Sequence, residues 1–189
     1  MNGEMARREF IGAGILAGLG TWSGVAFAAD DRAGSKSYNR NGDVKFCVFA
    51  DIHYKPHGFP HGSKEWLKRI LNHAVAEKCD FIIHCGDFVH SPKRDSDYVD
   101  FYNDFKIIPT YHVIGNHDDD GNTHEETLAA YRMERAHYHF DCKGFRFIVL
   151  DPNHIRRADG SIEHYSMGNY YKKGSTDVIG VVPEEHLKW

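Results

Sequence analysis

An α/β fold built on parallel strands is what the sequence predicts, and three observations predict it. Short apolar runs at 44–50, 81–85 and 110–114 read as strands, and the first, bounded by charge, has the pattern of a strand buried on both faces. Amphipathic stretches separate them. Trp66, Leu67, Ile70, Leu71, Ala74 and Val75 fall at helical spacing over 64–77, and Tyr98, Phe101, Tyr102 and Phe105 do so over 97–105. The balance of 41% hydrophobic and 26% charged residues in a chain of 189 is that of one globular domain able to bury a core. Strand, helix, strand, helix, strand in that order calls for parallel pairing through right-handed crossovers.

The first segment, 1–28, carries Arg7-Arg8-Glu9-Phe10, a weakly apolar run rich in Gly and Ala, and Ala26-Phe27-Ala28 before Ala29. It resembles a twin-arginine signal peptide, with a retained membrane anchor as the alternative because the run borders on spanning length. The expectation is export through the twin-arginine machinery to the periplasm or cell envelope, with no membrane association beyond this segment. Residues 29–42 are small, polar and charged and read as a linker, so the folded domain is expected over 43–189.

Within that domain Pro56, Gly58, Pro60 and Gly62 mark a loop, and Ser63 caps the first helix. A third helix is expected near 125–134. Strands at 138–141 and 145–150 flank Cys142-Lys143-Gly144 as a hairpin. Residues 151–182 form a long polar and aromatic insertion, with Tyr165, Asn169, Tyr170 and Tyr171 as its selectivity candidates. Pro183, Glu184 and Glu185 then read as the opening turn of another helix. Cys47, Cys79, Cys85 and Cys142 contain no C-x-x-C spacing, so a zinc knuckle is unsupported and buried thiols are expected over a disulfide framework. A formal charge of -4 supplies no basic field for nucleic-acid binding.

Chemistry gathers where the three central strands end. Asp51-Ile52-His53, Gly86-Asp87 and Gly115-Asn116-His117-Asp118 each follow one apolar run, and ligands of parallel α/β sheets collect beyond the carboxyl ends of the strands. Asp51 and His53 alternate by two, so an extended strand end can point both one way. Gly86 lets the backbone turn sharply before Asp87. Singly these strings are weak, since a lone D-x-H or G-D is usually a capped turn. In this order and strand context the set resembles the calcineurin-like metallophosphoesterase superfamily, over about 44–189. Tyr138-His139-Phe140-Asp141 and the run 145–151 resemble a hairpin and strand of bacterial members.

The resemblance implies an α/β/β/α sandwich of two mixed sheets and two divalent metal ions, with manganese, iron or zinc suited to the ligand types. It implies Asp51 and His53 on the first metal, Asp87 bridging both, and Asn116 on the second, where it also meets substrate. His117 lies near the scissile phosphoester as catalytic acid, and Asp118 orients it or caps a helix. The reaction implied is hydrolysis of a small phosphoester by a metal-activated water. Two departures accompany it. The further histidine and the Gly-His-x-His string that complete both metals are absent, as no Gly-His dipeptide occurs, so the second site is expected to be incomplete, the C-terminal strands missing and activity weak or nil. His90 stands three residues after Asp87, where protein phosphatases of the superfamily carry an acid, and is a candidate phosphate contact. His154, His164 and His186 read as solvated spare histidines. A non-catalytic scaffold or binding protein on the same fold is the alternative.

Overall fold

The computed structural model describes residues 25–28, 43–54, 63–167 and 174–188. Among them, β2 (Phe46–Phe49), β3 (Phe81–Cys85) and β4 (Thr110–Val113) form a parallel sheet in the order β2-β3-β4. Helix α1 (Ser63–Ala76) connects the first pair, and α2 (Ser96–Asn103) the second. Both helices cover one face. Leu67, Leu71 and Ala74 of α1 and Tyr98, Val99 and Tyr102 of α2 pack with Ile82 and Ile114 in one core. The alternate residues Phe81, Ile83 and Val113 turn to the other face, where they meet Phe147 and Val149 of a second sheet. The central strand β3 is thereby buried on both sides, whereas β2, expected to be so, lies at the sheet edge with no fully buried residue and Val48 50% exposed.

The second sheet is antiparallel, in the order β1-β6-β5, from β1 (Val25–Ala28), β5 (Tyr138–Cys142) and β6 (Phe145–Val149). Its inner face is aromatic: Phe81 meets Phe147 edge-on at 4.8 Å and Phe140 at 5.1 Å. The layers are thus helix, parallel sheet, antiparallel sheet, an α/β sandwich of the expected class. Strand β1 lies in the stretch that the sequence assigns to the end of the signal peptide, whose first 24 residues lie outside the described ones, as do the linker 29–42 and the loop 55–62. None of the described helices is long and apolar enough to cross a membrane. All four cysteines are free thiols.

Three expectations change. Helix α3 (His124–Ala130) stops short of 134 and begins under a capping box, with the Thr123 hydroxyl accepting from the Glu126 backbone N–H and the Glu126 carboxylate from that of Thr123. The insertion carries a small antiparallel sheet of its own, β8-β7-β9, from β7 (His154–Arg156), β8 (Ile162–His164) and β9 (Val178–Ile179). Strands of two or three residues are too short for period-two alternation to show. Asn169, Tyr170 and Tyr171 lie outside the described residues, and Tyr165 is buried. The last turn is a 3₁₀ helix, Glu184–Leu187, with Pro183 before it.

A buried polar relay stiffens the end of β3. The Asn103 amide donates to the Ala130 carbonyl at 3.0 Å, which leaves its oxygen to accept from His112 Nε2 at 2.7 Å. His112 Nδ1 must then accept from His84 Nε2, at 2.5 Å, and His84 Nδ1 accepts the Gly86 N–H at 3.3 Å. Both imidazoles are neutral in this arrangement. Burial holds His84 well below the ordinary histidine range and brings His112 down to about 3.

Candidate metal centre

Beyond the carboxyl ends of β2, β3 and β4 the three motif loops converge. The backbone continues to zip there: Asp51 N donates to Gly86 O at 3.1 Å, His53 N to Asp87 O at 2.9 Å and Tyr54 N to Phe88 O at 3.0 Å. Asp51, His53 and Asp87 nevertheless adopt left-handed φ of 58°, 49° and 54°. Asp51 and His53 therefore meet through paired left-handed turns and not through the extended alternation expected of them. Such conformations each cost about 1–3 kcal/mol and persist where surrounding contacts over-determine them. Gly86, at φ 92°, makes the turn that only glycine adopts freely.

The side chains form a cup that grades from dry to wet. Asp87 is 2% exposed at its base, whereas the Asp51 carboxylate at the rim is 60% exposed. His53 Nε2 stands 3.6 Å from Asp87 Oδ2 and 3.7 Å from Asp51 Oδ1. His117 joins through its backbone N–H, which donates to Asp87 Oδ1 at 3.1 Å, and its ring lies 5.1 Å from that of His53. His90 closes the wall, with Nε2 3.2 Å from His53 Nδ1 and its ring 4.9 Å from that of His117. The structure thus brings together Asp51, His53, Asp87, His90 and His117, and sets Asn116, 7% exposed, just ahead of the 3₁₀ turn His117–Asp119.

Asp118 does not serve as expected. Its carboxylate neither orients His117 nor reaches the cup; it is fully buried and accepts five hydrogen bonds. Phe88 N, Val89 N and the Tyr131 hydroxyl converge on Oδ1 at 2.9, 3.0 and 2.6 Å, and Asp87 N and Gly115 N on Oδ2 at 3.0 and 2.8 Å. It is a positioning residue that ties the Gly86-Asp87 loop to the Gly115-Asn116 loop. Burial pushes this carboxyl up to about 7 against the pull of those donors. The orienting role falls to Asp120, whose Oδ2 meets His117 Nδ1 at 2.5 Å and His90 Nδ1 at 3.4 Å. A carboxylate there fixes the proton on Nδ1 and leaves Nε2 as the working nitrogen. The only signal for Asp120 in the sequence was the run of three acids after the histidine.

The cup fits divalent cations by an internal test. Asp87 Oδ2 and Asn116 Oδ1 are both buried and accept no hydrogen bond. Each such orphan costs about 1–3 kcal/mol unless something satisfies it. Burial also pushes the Asp87 carboxyl up, partly offset by His117, so an added positive charge would be welcome there. Carboxylate, amide and imidazole donors together suit manganese, iron or zinc. His53, Asp87 and His117 already present donor atoms within 4.8 Å of one another.

A further correction concerns the spare histidines. His154 is 9% exposed, the His164 side chain 16%, and His186 is partly buried with its ring stacked on that of His137 at 3.7 Å. His154 and His164 are interior residues of the insertion, and His186 is half-covered at the final turn.

Among solved structures, the chain is similar to a dimetal phosphatase from Danio rerio, at 19% identity and a TM-score of 0.39 over 58% of this chain and 41% of that one. It is also similar to a protein of unknown function from Aquifex aeolicus, at 18% identity and a TM-score of 0.30 over 55% of this chain and 58% of that one. The chain thus spans less than two thirds of either. No curated protein is similar enough in sequence to count as a match. The family comparison is decisive where these are not: residues 44–181 match the calcineurin-like phosphoesterases, from β2 through all three motif loops to the end of the insertion. The chain belongs to the calcineurin-like phosphoesterase family.

Proposed function

We propose that this chain is a metal-dependent hydrolase of a small phosphoester, working in the cup at the ends of β2, β3 and β4. The observation that carries the reading is the pair of buried, unsatisfied oxygens, Asp87 Oδ2 and Asn116 Oδ1, beside His53 and His117. Asp51, His53 and Asp87 would hold one ion, and Asp87 with Asn116 a second. Bound there, divalent ions supply an acidified water and polarise a phosphoryl oxygen.

The residues of the chain do the rest. Asp118 fixes the spacing of the two loops that bear Asp87 and Asn116. Asp120 accepts from His117 Nδ1 and so orients the ring, leaving Nε2 as the nitrogen that, when it carries a proton, donates to the leaving oxygen. His90, its ring beside those of His53 and His117, would contact phosphate oxygens. The exposed rim at Asp51 is the side from which substrate enters. Export through the twin-arginine route to the cell envelope is part of the same proposal, tested by the N-terminal sequence of the protein recovered from a periplasmic fraction.

The test is hydrolysis of bis-p-nitrophenyl phosphate and p-nitrophenyl phosphate by metal-stripped protein supplied with manganese, iron or zinc. Turnover restored by metal, and lowered about 10²–10⁴-fold in His117→Ala, is the expected result. Tight metal binding with no turnover on either ester, or turnover unaffected by His117→Ala, would count against the proposal.

A further inference from the structure

Beside the cup lies a second cluster of acids and imidazoles. Asp119, His124, Asp151, His154 and His164 come from the 3₁₀ turn, the first residue of α3, the end of β6, and strands β7 and β8. His124 Nδ1 is 3.3 Å from Asp119 Oδ2, and His164 Nε2 is 3.8 Å from the same oxygen. His164 Nε2 is also 3.3 Å from Asp151 Oδ2, which His154 Nδ1 approaches to 3.8 Å. Asp119 is fully buried and Asp151 is 3% exposed.

A set of ordinary histidine–aspartate hydrogen bonds would give the same neighbours, so the distances must decide. His124 Nδ1 to Asp119 Oδ2 at 3.3 Å is a long hydrogen bond, whereas the 3.8 Å separations of His164 from Asp119 and of His154 from Asp151 are too long for one. Donors sharing one tetrahedral zinc at about 2.0–2.1 Å stand about 3.3–3.4 Å apart; His124 and Asp119 match that spacing, and His164 lies 3.8 Å from the same Asp119 oxygen. A second observation points the same way. Asp119 Oδ1 and His154 Nδ1 are buried in the cluster without a hydrogen-bond partner. Two carboxylates removed from water exclude an anion as the occupant and call for a cation. Imidazoles select a late first-row metal over magnesium or calcium.

We propose that Asp119, His124 and His164, whose donor atoms lie within 4.8 Å of one another, bind one zinc-class ion, with Asp151 and His154 beside His164 as its outer neighbours. The site is separate from the cup and does not depend on the reaction assigned there. Its ligands come from the 3₁₀ turn, the start of α3 and strand β8, so its role is structural. The ion clamps the β7-β8-β9 insertion to the turn that carries His117. The Met167 N–H, which donates to the Asp119 carbonyl at 2.8 Å, already marks the same attachment.

The experiment is zinc titration of chelator-stripped chain carrying His53→Ala, Asp87→Asn and His117→Ala, which breaks both donor groups of the cup and leaves the second cluster intact. One zinc per chain is expected, with imidazole and carboxylate ligands in X-ray absorption and intense visible bands after replacement by cobalt(II). Adding His164→Gln should weaken binding at least tenfold and abolish the rise in melting temperature that zinc gives the parent. His124→Gln, on a different element, should do the same if His164→Gln proves poorly folded. Absence of zinc in the chain whose second cluster is intact overturns the proposal, as does retention of the same zinc affinity in both glutamine variants.

Discussion

Asp118→Asn is the substitution that most directly probes how the centre is built. The carboxylate offers two oxygens to five donors, three on Oδ1 and two on Oδ2. An amide keeps one oxygen, and its best orientation leaves that oxygen on Phe88 N, Val89 N and Tyr131. Its NH₂ then faces Asp87 N and Gly115 N, two buried donors that lose their acceptor and confront another donor. At about 1–3 kcal/mol for each buried donor left unsatisfied, the loss is about 2–6 kcal/mol. Against a usual net stability of about 5–15 kcal/mol this is a large fraction, and it falls on the two loops that carry Asp87 and Asn116. Urea unfolding followed by circular dichroism at pH 8, on metal-stripped parent and variant, reads the stability. Zinc or manganese titration of the folded fraction reads the site, and affinity should drop because Asp87 is no longer anchored. Tyr131→Phe, which removes one donor and leaves the carboxylate, should cost less, about 1.5–3 kcal/mol. A stability for Asp118→Asn within about 0.5 kcal/mol of the parent, the range of an ordinary surface change, would refute the assignment.

Gly115→Ala should fail for space, because an added Cβ would overlap the Asp87 backbone nitrogen and Oδ1; metal affinity should fall more than tenfold, read by titration calorimetry. Asp120→Asn should lower turnover about 10–100-fold with little change in KM, since it frees the His117 tautomer, and the loss should be visible as an altered acid limb of the pH–rate profile. His112, held neutral down to about 3, takes up a proton in the unfolded chain below about 6.5, so its contribution to stability declines as pH drops through that window. Stability of the parent should therefore fall more steeply than that of His112→Gln, by about 1.4 kcal/mol per pH unit between about pH 5.5 and 4; comparing the two cancels the carboxyl contributions, and equal slopes would contradict the buried neutral relay.

What the sequence made legible was whatever a local pattern can encode. The runs 81–85 and 110–114 read as strands, and Ile82 and Phe81 do point into different cores, but the doubly buried reading of 44–50 fails because β2 lies at an edge and leaves Val48 50% exposed. The three motif loops were legible because ligands collect at strand ends, whatever the rest of the chain does. Asp120 and the interior histidines were not, because their meaning depends on contacts between distant segments. His164 meets Asp119 only after the insertion folds back, and strands as short as β7 and β8 leave no periodic trace. The left-handed backbone at Asp51 and His53 was equally hidden. Aspartate and histidine adopt φ above zero more readily than most side chains, yet too seldom for the residue type alone to announce it.

The run Asp118-Asp119-Asp120 shows how one short turn can serve three purposes. A 3₁₀ helix has about three residues per turn, so successive side chains diverge by about 120°. Three consecutive acids at such a turn therefore cannot share a task. Asp118 points into the protein and gathers the backbone donors of both ligand loops. Asp120 points to the cup and holds His117. Asp119 points to the insertion, where it meets His124 and His164. An α-helical continuation would change those directions, since about 3.6 residues per turn sets neighbours about 100° apart and lays every fourth residue on one face. Two residues on its C-terminal side hold the turn to its short length: Asn122, fully buried, accepts from the Ser91 hydroxyl at 2.8 Å, and Thr123 caps the next helix. The geometry of His117, the spacing of the loops that carry Asp87 and Asn116, and the docking of the insertion are thus coupled through a single backbone turn. A substitution that alters its pitch should disturb all three together, whereas replacing any one of the three acids should disturb its own partner first.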